Sequence, residues 1–391
     1  MINRKLLIIL LIIYSICSAN AQEIIYGTNN YIEYQVGTLP LVISVSHGGD
    51  VEPVSIPDRT CNNPVYAVDA YTIETAMEIK NQLFNLTGCY PHIIISHLKR
   101  NKLDPNRSLA DGACNNAEAM TAWNEFHNFI DDARNTANQQ YNDQTFFVDL
   151  HGHGNSIQRI ELGYLLYDDE LGSPDSVLNT QEYINYSSIK NLAQNNINNF
   201  THAELLRGSN SLGTLLMNDN YPTVPSQIIP APGTSTNYFS GGYITANHTS
   251  YNPAAPINGL QMELNYTNIR DTPNNRTTFA NTFSEVMVDF LNIHFNVNWN
   301  SCNPLSTVDQ LPKEDITIYP NPVKKGKLVH FVFSDDNKYQ YQIYNISGRL
   351  VKKGILDKNQ IGTDQLNSGI YFIKLSSNEK KGTDIKSILI K

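Results

Sequence analysis

Two apolar runs, roughly one hundred residues apart, each end at a histidine that a glycine follows. The first comprises residues 41–46 and continues as His47-Gly48-Gly49-Asp50; the second comprises residues 146–150 and continues as His151-Gly152-His153-Gly154. Short runs of β-branched and aromatic residues are typical of buried strands, and open α/β sheets bind ligands beyond the carboxyl ends of such strands. Because imidazole is the commonest protein ligand of metals, the pattern predicts a divalent metal above a sheet, bound by His47 and His151.

The amino-terminal residues predict an export signal over residues 1–21. Arg4 and Lys5 supply its positive start, residues 6–16 its apolar stretch, and Ala19-Asn20-Ala21 a small-residue cleavage site. No later segment approaches the ~20 apolar residues that a membrane-spanning helix needs. We therefore expect a mature chain that works outside the cytoplasm and has no transmembrane segment.

Four cysteines remain after the signal: Cys61, Cys89, Cys114 and Cys302. In an oxidising compartment four cysteines usually form disulfides, and three pairings are possible. Their spacing matches no zinc-binding pattern, so we interpret them as structural. Either Cys61–Cys114 or Cys61–Cys89 would brace the loops that flank the first histidine.

Charge divides the chain near residue 312. From Lys313 onward there are 14 basic and 8 acidic residues, a net +6, whereas residues 1–312 carry 14 basic and 29 acidic residues, a net −15. Such a shift marks a domain boundary. We predict a main domain over residues 23–303, a linker over 304–315 and a tail over 316–391. The acidic main domain argues against nucleic acid as a partner, since phosphate binding needs clustered cations.

The tail is rich in strand-forming runs separated by turn residues, a pattern that predicts a small β-sandwich. Three elements carry a resemblance: Tyr319-Pro320-Asn321-Pro322, then residues 343–351 around Gly348-Arg349, then Leu366 to Tyr371 before a basic terminus. In this order they resemble the C-terminal sorting domain of type IX secretion cargo. The resemblance implies passage across the outer membrane by the type IX secretion machinery, and hence a secreted or cell-surface protein. The alternative is a substrate-binding sandwich appended to an enzyme.

The main domain alternates strand-like and helix-like segments over about 280 residues, enough for one large α/β domain. The predicted strands are Leu41–Ser46, Pro91–Ser96, Thr145–Leu150, Leu162–Tyr167 and Leu260–Leu264, and the predicted helices are Val68–Leu86, Ala117–Gln140, Tyr186–Asn199 and Thr277–Phe295. Alternation of this kind favours a mixed or parallel sheet covered on both faces.

A catalytic zinc site typically uses three protein ligands, so His47 and His151 need a third. Asp50 lies three residues after His47, where a turning loop can bring its carboxylate to the same ion; the alternative is a solvated loop carboxylate. Asp69 is the rival ligand, unless it caps the helix that begins nearby. His153 projects to the same side as His151 in an extended chain and could bind substrate or hydrogen-bond to a metal ligand.

Two further elements could act on substrate. Arg100, Asn106 and Arg107 follow the strand at residues 91–96, and arginine suits bidentate capture of a carboxylate. Glu263 lies on an alternating strand with Gln261 and Asn265, and a glutamate there could move protons between water and a leaving amine. The alternatives are a polar loop and a surface strand.

Together these elements resemble N-formylglutamate amidohydrolase-like proteins, relatives of zinc carboxypeptidases, over roughly residues 40–291. The matching elements, in order, are Ser46-His47-Gly48-Gly49, Arg100 with Asp104-Pro105-Asn106-Arg107, Asp149-Leu150-His151, and Gln261-Met262-Glu263-Leu264-Asn265. The resemblance implies a three-layer α/β phosphorylase/hydrolase-like fold and a zinc-dependent amide hydrolase. It matches His47 and His151 to metal ligands, Asp50 to the ligand carboxylate, Asn106 and Arg107 to the pair that holds the substrate carboxylate, and Glu263 to the catalytic carboxylate.

The leading hypothesis is therefore a secreted zinc-dependent amidohydrolase or carboxypeptidase-like enzyme acting on a small acidic N-acyl amino acid or peptide. A surface-exposed binding or adhesive protein on a degenerate hydrolase fold is the runner-up, because Asn-rich loops and the sorting tail fit it. A carbohydrate hydrolase would need a carboxylate pair ~5–9 Å apart, and no sequence element points to one.

Overall fold

The structure, a computed structural model, describes residues 22–142, 144–233, 237–297, 316–333, 338–345, 350–356, 358–377 and 383–391. The predicted export signal, the linker and Cys302 lie outside these ranges. The chain divides between Asn303 and Pro304 into two compact units. No helix within the described ranges combines the length and the apolar character that crossing a membrane requires.

The first unit alternates strands with helices. Its strands are β1 (Ile24–Tyr26), β2 (Ile32–Gln35), β3 (Leu41–Val45), β4 (His92–Ser96), β5 (Phe146–His153), β6 (Ile160–Gly163), β7 (Thr223–Val224) and β8 (Asn258–Asn265). Its helices are α1 (Thr72–Thr87), α2 (Leu109–Ala113), α3 (Ala117–Tyr141), α4 (Asp168–Leu171), α5 (Asp175–Leu178), α6 (Gln181–Tyr186), α7 (Lys190–Asn195), α8 (His202–Arg207), α9 (Leu212–Asn218), α10 (Tyr243–His248) and α11 (Pro273–Phe295).

The eight strands form one mixed sheet in the order β1-β2-β4-β3-β5-β8-β6-β7. The four central strands β4, β3, β5 and β8 are parallel, and β2 and β6 flank them antiparallel. The strand that follows β3 in the chain, β4, lies on one side of β3, and the next strand, β5, lies on its other side. The carboxyl ends of β3 and β5 therefore meet at the point where the strand order reverses, which is where sheets of this kind bind ligands.

Alternate residues of the central strands enter two hydrophobic clusters, one on each face of the sheet. Leu41 and Ile43 of β3 join a cluster with residues of α1 and α11, whereas Val42 joins a cluster with residues of α3. Toward the carboxyl ends the second face becomes polar, although it stays buried. Ser44, Asp149 and Gln261 are register partners across β3, β5 and β8, and all three are buried. This polar row leads directly to the candidate site.

The mixed α/β architecture on a large mixed sheet is confirmed, but single elements differ from the sequence prediction. The strand expected at residues 162–167 spans Ile160–Gly163, and the helix expected at 186–199 is reduced to Lys190–Asn195. Between residues 168 and 248, the described residues (168–233 and 237–248) form seven short helices. Segments of four to seven residues are too short to display the helical periodicity that identifies an amphipathic helix.

The second unit is built from antiparallel strands: β9 (Thr317–Tyr319), β10 (Leu328–Val332), β11 (Tyr339–Asn345), β12 (Leu350–Ile355), β13 (Gln360–Gly362), β14 (Gly369–Ser377) and β15 (Thr383–Ile390). They form a three-stranded sheet, β13-β10-β9, and a four-stranded sheet, β12-β11-β14-β15. One hydrophobic cluster contains residues of both sheets, among them Phe331 of β10 and Ile373 of β14. The tail, for which the sequence predicts a small β-sandwich, is thus confirmed as a region of antiparallel β-sheet.

Candidate metal centre

The two histidines that the sequence singled out lie side by side. Ser44 of β3 pairs with Asp149 of β5 in parallel register, and both chains continue toward the same edge of the sheet. His47 follows the end of β3, His151 lies within β5, and their ring centroids are 4.8 Å apart. Gly49 permits this path, since a Cβ there would lie 2.3 Å from the backbone of His97.

Asp69 completes a group of three possible metal ligands with these histidines. One ligand atom from each of His47, Asp69 and His151 lies within 4.8 Å of the other two, and all three residues are buried. The Oδ2 atom of Asp69 is 3.4 Å from Nδ1 of His47 and 3.1 Å from Nδ1 of His151. The backbone N–H of Asp69 donates to the carbonyl of His47, which ties the loop after β3 back to its histidine.

Asp50, the carboxylate that the resemblance favoured, is exposed and is not in this group. The rival interpretation, in which Asp69 caps the following helix, does not describe its contacts either. Tyr71 holds the N-cap position of α1, with no side-chain capping bond. The side chain of Asp69 instead accepts from the N–H of Gly152 at 3.2 Å, which anchors it to β5.

The Nε2 nitrogen of each histidine faces a further buried aspartate, a different one for each histidine. Nε2 of His47 donates to Oδ1 of Asp104 at 2.7 Å. Nε2 of His151 lies 3.0 Å from Oδ2 of Asp149, whose Oδ1 accepts from the hydroxyl of Ser44 at 2.7 Å. Metal-binding histidines commonly show this arrangement, because a carboxylate on one nitrogen fixes the tautomer that presents the other nitrogen to the metal.

The donor set fits a zinc ion. Among the described residues, Nδ1 of His47 is a buried nitrogen that makes no well-formed hydrogen bond, and the carboxylate oxygen beside it is Oδ2 of Asp69 at 3.4 Å. Two imidazoles and one carboxylate are a ligand set of catalytic zinc, which leaves a coordination position open. Burial raises the pKa of Asp69, but the neighbouring imidazoles of His151 and His47 outweigh it and hold that pKa well below its usual range. Asp69 is therefore a carboxylate ready to bind a cation.

Three guanidinium groups surround Asp104. Nε of Arg100 donates to Oδ2 of Asp104 at 3.1 Å, and nitrogens of Arg107 and Arg59 lie 3.4 and 3.5 Å from the same oxygen. Burial raises the pKa of Asp104, but the nearby His47, Arg100 and Arg59 outweigh it, so that pKa lies well below its usual range. Asp104 thus stays ionised and keeps its hold on Nε2 of His47.

Glu263 stands next to His151 in the parallel register of β5 and β8. It is buried, and Nε2 of Gln261 donates to its Oε1 at 3.0 Å. Burial raises the pKa of Glu263 to about 8, and the negative charges of Asp69 and Asp149 add to this although His151 opposes it. A carboxyl group with such a pKa can both take and return a proton near neutral pH.

The predicted substrate-binding residues divide into two groups. Asn106 lies at the centre, with its Nδ2 3.4 Å from Nε2 of His151. Arg107 also lies there, beside Asp104, and its side chain is 32% exposed, so it reaches solvent. Arg100 spans Asp104 and Asp69, with its Nη1 3.9 Å from Oδ1 of Asp69. His153 is occupied elsewhere: it is buried, its Nε2 donates to the carbonyl of Arg159, and its Nδ1 accepts from the N–H of Asn155.

Sequence reasoning assigned no role to several residues that shape the centre. Arg270 donates to the carbonyls of Leu264, Ala70 and His153, joining three segments that carry the site. Asp149 could have been recognised, because it lies two residues before His151 and so shares its strand face. Asp104 stands beside Arg100 and Arg107 in the sequence, but its contact with His47 joins residues 57 apart and left no signal. Arg59 gave no comparable signal either, since Arg100, Asp104 and Asp111, which it contacts, are distant in sequence.

The comparisons with known proteins identify the tail. Residues 317–391 match the family described as the secretion system C-terminal sorting domain. The protein is therefore exported, its partner in export is the type IX secretion machinery, and it is secreted or held at the cell surface. No curated protein sequence matches the chain.

Two solved structures show a limited likeness. PorZ, a surface component of the type IX secretion system of Porphyromonas gingivalis, is 16% identical over 20% of this chain and 11% of its own, with a TM-score of 0.17. The endo-β-1,4-mannanase of Thermotoga petrophila is 8% identical over 69% of this chain and 43% of its own, with a TM-score of 0.15.

Proposed function

We propose that the protein is an exported zinc-dependent amide hydrolase, with His47, Asp69 and His151 as metal ligands and Glu263 as the proton-transferring carboxylate. The observation that carries the proposal is the convergence of three buried ligand atoms beside Glu263. A zinc ion held there supplies a Lewis acid that polarises the scissile carbonyl and acidifies water. Nδ1 of His47, which is buried and makes no well-formed hydrogen bond, supports a metal at this position.

Glu263 has the position and the acidity for a general base. It takes a proton from the attacking water and returns it to the leaving amine nitrogen, so that one carboxyl group serves both halves of the hydrolysis. Water adds across the C–N bond, and the products are a carboxylic acid and an amine. The amide of Gln261 holds the side chain of Glu263 in place for both transfers.

Arg107 is the guanidinium best placed to hold an anionic end of the substrate. Its side chain is 32% exposed, against 17% for Arg100 and 1% for Arg59. Its Nε lies 3.4 Å from Oδ2 of the buried Asp104, which holds the side chain in place. Planar guanidinium groups bind carboxylates bidentately, so a free carboxylate near the scissile amide is the expected recognition element. The proposed substrate is a small acidic N-acyl amino acid or peptide outside the cell.

We propose an N-formylglutamate amidohydrolase-like domain with a three-layer phosphorylase/hydrolase-like fold. Support comes from the polar edge at the reversal of strand order and from the placement of Asn106 next to His151. Asp69 takes the ligand role that the resemblance gave to Asp50.

Metal analysis and hydrolysis assays on the full exported chain test the proposal. We expect about one zinc ion per chain, as a three-ligand catalytic site requires. The double variant His47→Ala with His151→Ala should bind no zinc and hydrolyse no amide. Glu263→Gln should keep the zinc and abolish turnover of a panel of N-acyl amino acids and dipeptides.

The outcomes separate the enzyme from its rival. Zinc-free wild-type protein, or a double variant that retains activity, would refute a metal-dependent hydrolase. The adhesive protein on a degenerate fold would be favoured by a different result: the wild type binds zinc but hydrolyses no panel member, and Glu263→Gln behaves like the wild type in both assays.

A further inference from the structure

A long loop between β3 and α1 packs a buried arginine against the segment that carries Asp104. Arg59 in this loop is only 1% exposed. Its guanidinium donates to the carbonyls of Arg100, Asp111 and Val65, and its own N–H donates to the carbonyl of Asn101. The hydroxyl of Tyr66 in turn donates to the carbonyl of Arg59. The guanidinium and the backbone N–H of Arg59 thus tie the loop of residues 51–67 to residues 100–111.

The same guanidinium reaches the metal centre through Asp104. Nη2 of Arg59 lies 3.5 Å from Oδ2 of Asp104, whose Oδ1 accepts from Nε2 of His47 at 2.7 Å. Arg59 touches no metal ligand itself in these contacts. Arg59 holds the carboxylate of Asp104, and Asp104 in turn holds the imidazole of His47. Arg59 is therefore a positioning residue.

A disulfide fastens this loop beside Arg59. Cys61, two residues after Arg59, is bonded to Cys114 at the end of α2, with the Cα atoms 5.7 Å apart. This is one of the two pairings predicted for Cys61. Next to it, the amide of Asn62 donates to the carboxylate of Asp111. The covalent bond spans 53 residues of sequence, and the closed segment includes Asp69 and Asp104.

We propose that the Cys61–Cys114 disulfide, acting through Arg59 and Asp104, makes the affinity of the metal centre depend on oxidation. The proposal rests on the proposed zinc site. In the dithiol form the loop is held only by non-covalent contacts, and the ordering of Arg59 costs conformational entropy that the crosslink otherwise removes. The centre then reaches full zinc affinity only in an oxidising compartment outside the cytoplasm, where the exported protein works.

The oxidation itself is a thiol–disulfide exchange. The thiolate of one cysteine attacks the disulfide of a thiol oxidoreductase and forms a mixed disulfide, which the second cysteine resolves. Two electrons and two protons pass from Cys61 and Cys114 to the oxidoreductase, which leaves as a dithiol. Zinc takes no part in this exchange.

Chelator-competition titration of zinc on the full chain tests the proposal. The dissociation constant should rise about 10- to 100-fold in the double variant Cys61→Ser with Cys114→Ser, the range expected when outer-shell support of a ligand is lost. Reduction of the wild type with a phosphine should produce the same rise. Cys89, which is also disulfide-bonded, supplies the matched control. It precedes β4 at the end of the parallel strands opposite to His47, so Cys89→Ser should leave the zinc dissociation constant unchanged.

Arg59→Lys tests the positioning step without removing the charge. Lysine lacks the fork that contacts three carbonyls and Asp104, so we expect weaker zinc binding and an altered visible spectrum of the cobalt-substituted protein. Thermal unfolding verifies that each variant is folded.

The results distinguish the two proposals. An oxidised wild type that binds no zinc overturns the proposed function and this inference together. Tight zinc binding that neither reduction, nor the Cys61/Cys114 variant, nor Arg59→Lys changes overturns this inference alone. Equal weakening by Cys89→Ser also overturns it, because a general loss of stability then explains the effect.

Discussion

His151 and Glu263 are register partners on two adjacent parallel strands, so a proposed metal ligand and the proposed proton carrier rise from one face of the sheet. One step earlier on the same face, Asp149 of β5 pairs with Gln261 of β8. Asp149 faces the ring of His151, and Gln261 donates to Glu263. Because side chains alternate along a strand, this one pair of strands supplies two proposed active groups and the residue that supports each of them.

Asp69 rather than Asp50 should decide whether zinc is held. Asp69→Asn removes the buried anion between the two imidazoles, so zinc affinity should fall by more than the ~10- to 100-fold that loss of an outer-shell partner costs. Asp50→Asn is the matched control, because Asp50 is exposed and lies outside the group of ligands. Zinc titration of both variants measures the difference. A larger loss for Asp50→Asn would contradict the site.

These two aspartates show how far sequence reasoning reaches. His47 and His151 end apolar runs, and the meeting of parallel strand ends follows from sheet geometry, so their proximity was predictable. Asp50 was favoured because it is near His47 in sequence. The loop that follows β3 carries Asp50 into solvent and returns at Asp69, whose N–H bonds to the carbonyl of His47. Pattern and spacing contain no information about such a return.

The outer contacts of the centre were less predictable still. Arg59 and Arg270 act by donating to backbone carbonyls, and any residue can supply a carbonyl. The identity of the acceptor residue therefore gives no sequence signal for these hydrogen bonds. The overall α/β class was predictable from the alternation of strands and helices, whereas the short helices between residues 168 and 248 were not.

Glu263 should lower the free energy of unfolding of the metal-free protein as the pH rises. Its folded pKa, about 8, lies above the ordinary value of 4.5, so between these pH values the folded state keeps a proton that the unfolded state loses. Folding stability then falls with rising pH across this window. Glu263→Gln removes the penalty and should stabilise the metal-free protein at pH 9 by on the order of a few kcal/mol.

Denaturant unfolding in the presence of a chelator measures this effect. At pH 4.5 the wild type and Glu263→Gln should have similar free energies of unfolding, because both carry a neutral side chain there. An equal difference between the two proteins at pH 4.5 and pH 9 would show that the carboxyl group of Glu263 does not titrate in this window.

Arg107 should determine the preference for a free carboxylate. Arg107→Gln should lower the ratio of kcat/KM for an acidic substrate to that for its neutral amide by about 10- to 100-fold, the value of a charge-assisted hydrogen bond. Lys102→Gln makes the same change of charge in the same loop, but Lys102 pairs with Asp58, so the ratio should not move. Steady-state kinetics on matched acid and amide substrates provide the test, and equal effects of both variants would speak against recognition by Arg107.

Gly152 should tolerate no side chain, because Arg270 occupies the space. A Cβ at Gly152 would lie 2.3 Å from Cζ of Arg270, whose guanidinium donates to the carbonyls of Leu264, Ala70 and His153. Gly152→Ala therefore forces this clamp away from the segments that carry Asp69, His151 and Glu263. We expect a loss of stability of about 1–3 kcal/mol, as for other overpacked interiors, together with weaker zinc binding.

Gly154→Ala, one residue beyond the end of β5, is the matched control. A Cβ at Gly154 meets no atom within 4 Å, so its effect on stability should stay within ~0.5 kcal/mol and zinc affinity should not change. Both glycines lie in the motif that follows the second apolar run, yet only Gly152 contacts the clamp. Thermal unfolding and zinc titration of the two variants should separate them; similar results for both would mean that Arg270 yields to the added methyl group without disturbing the centre.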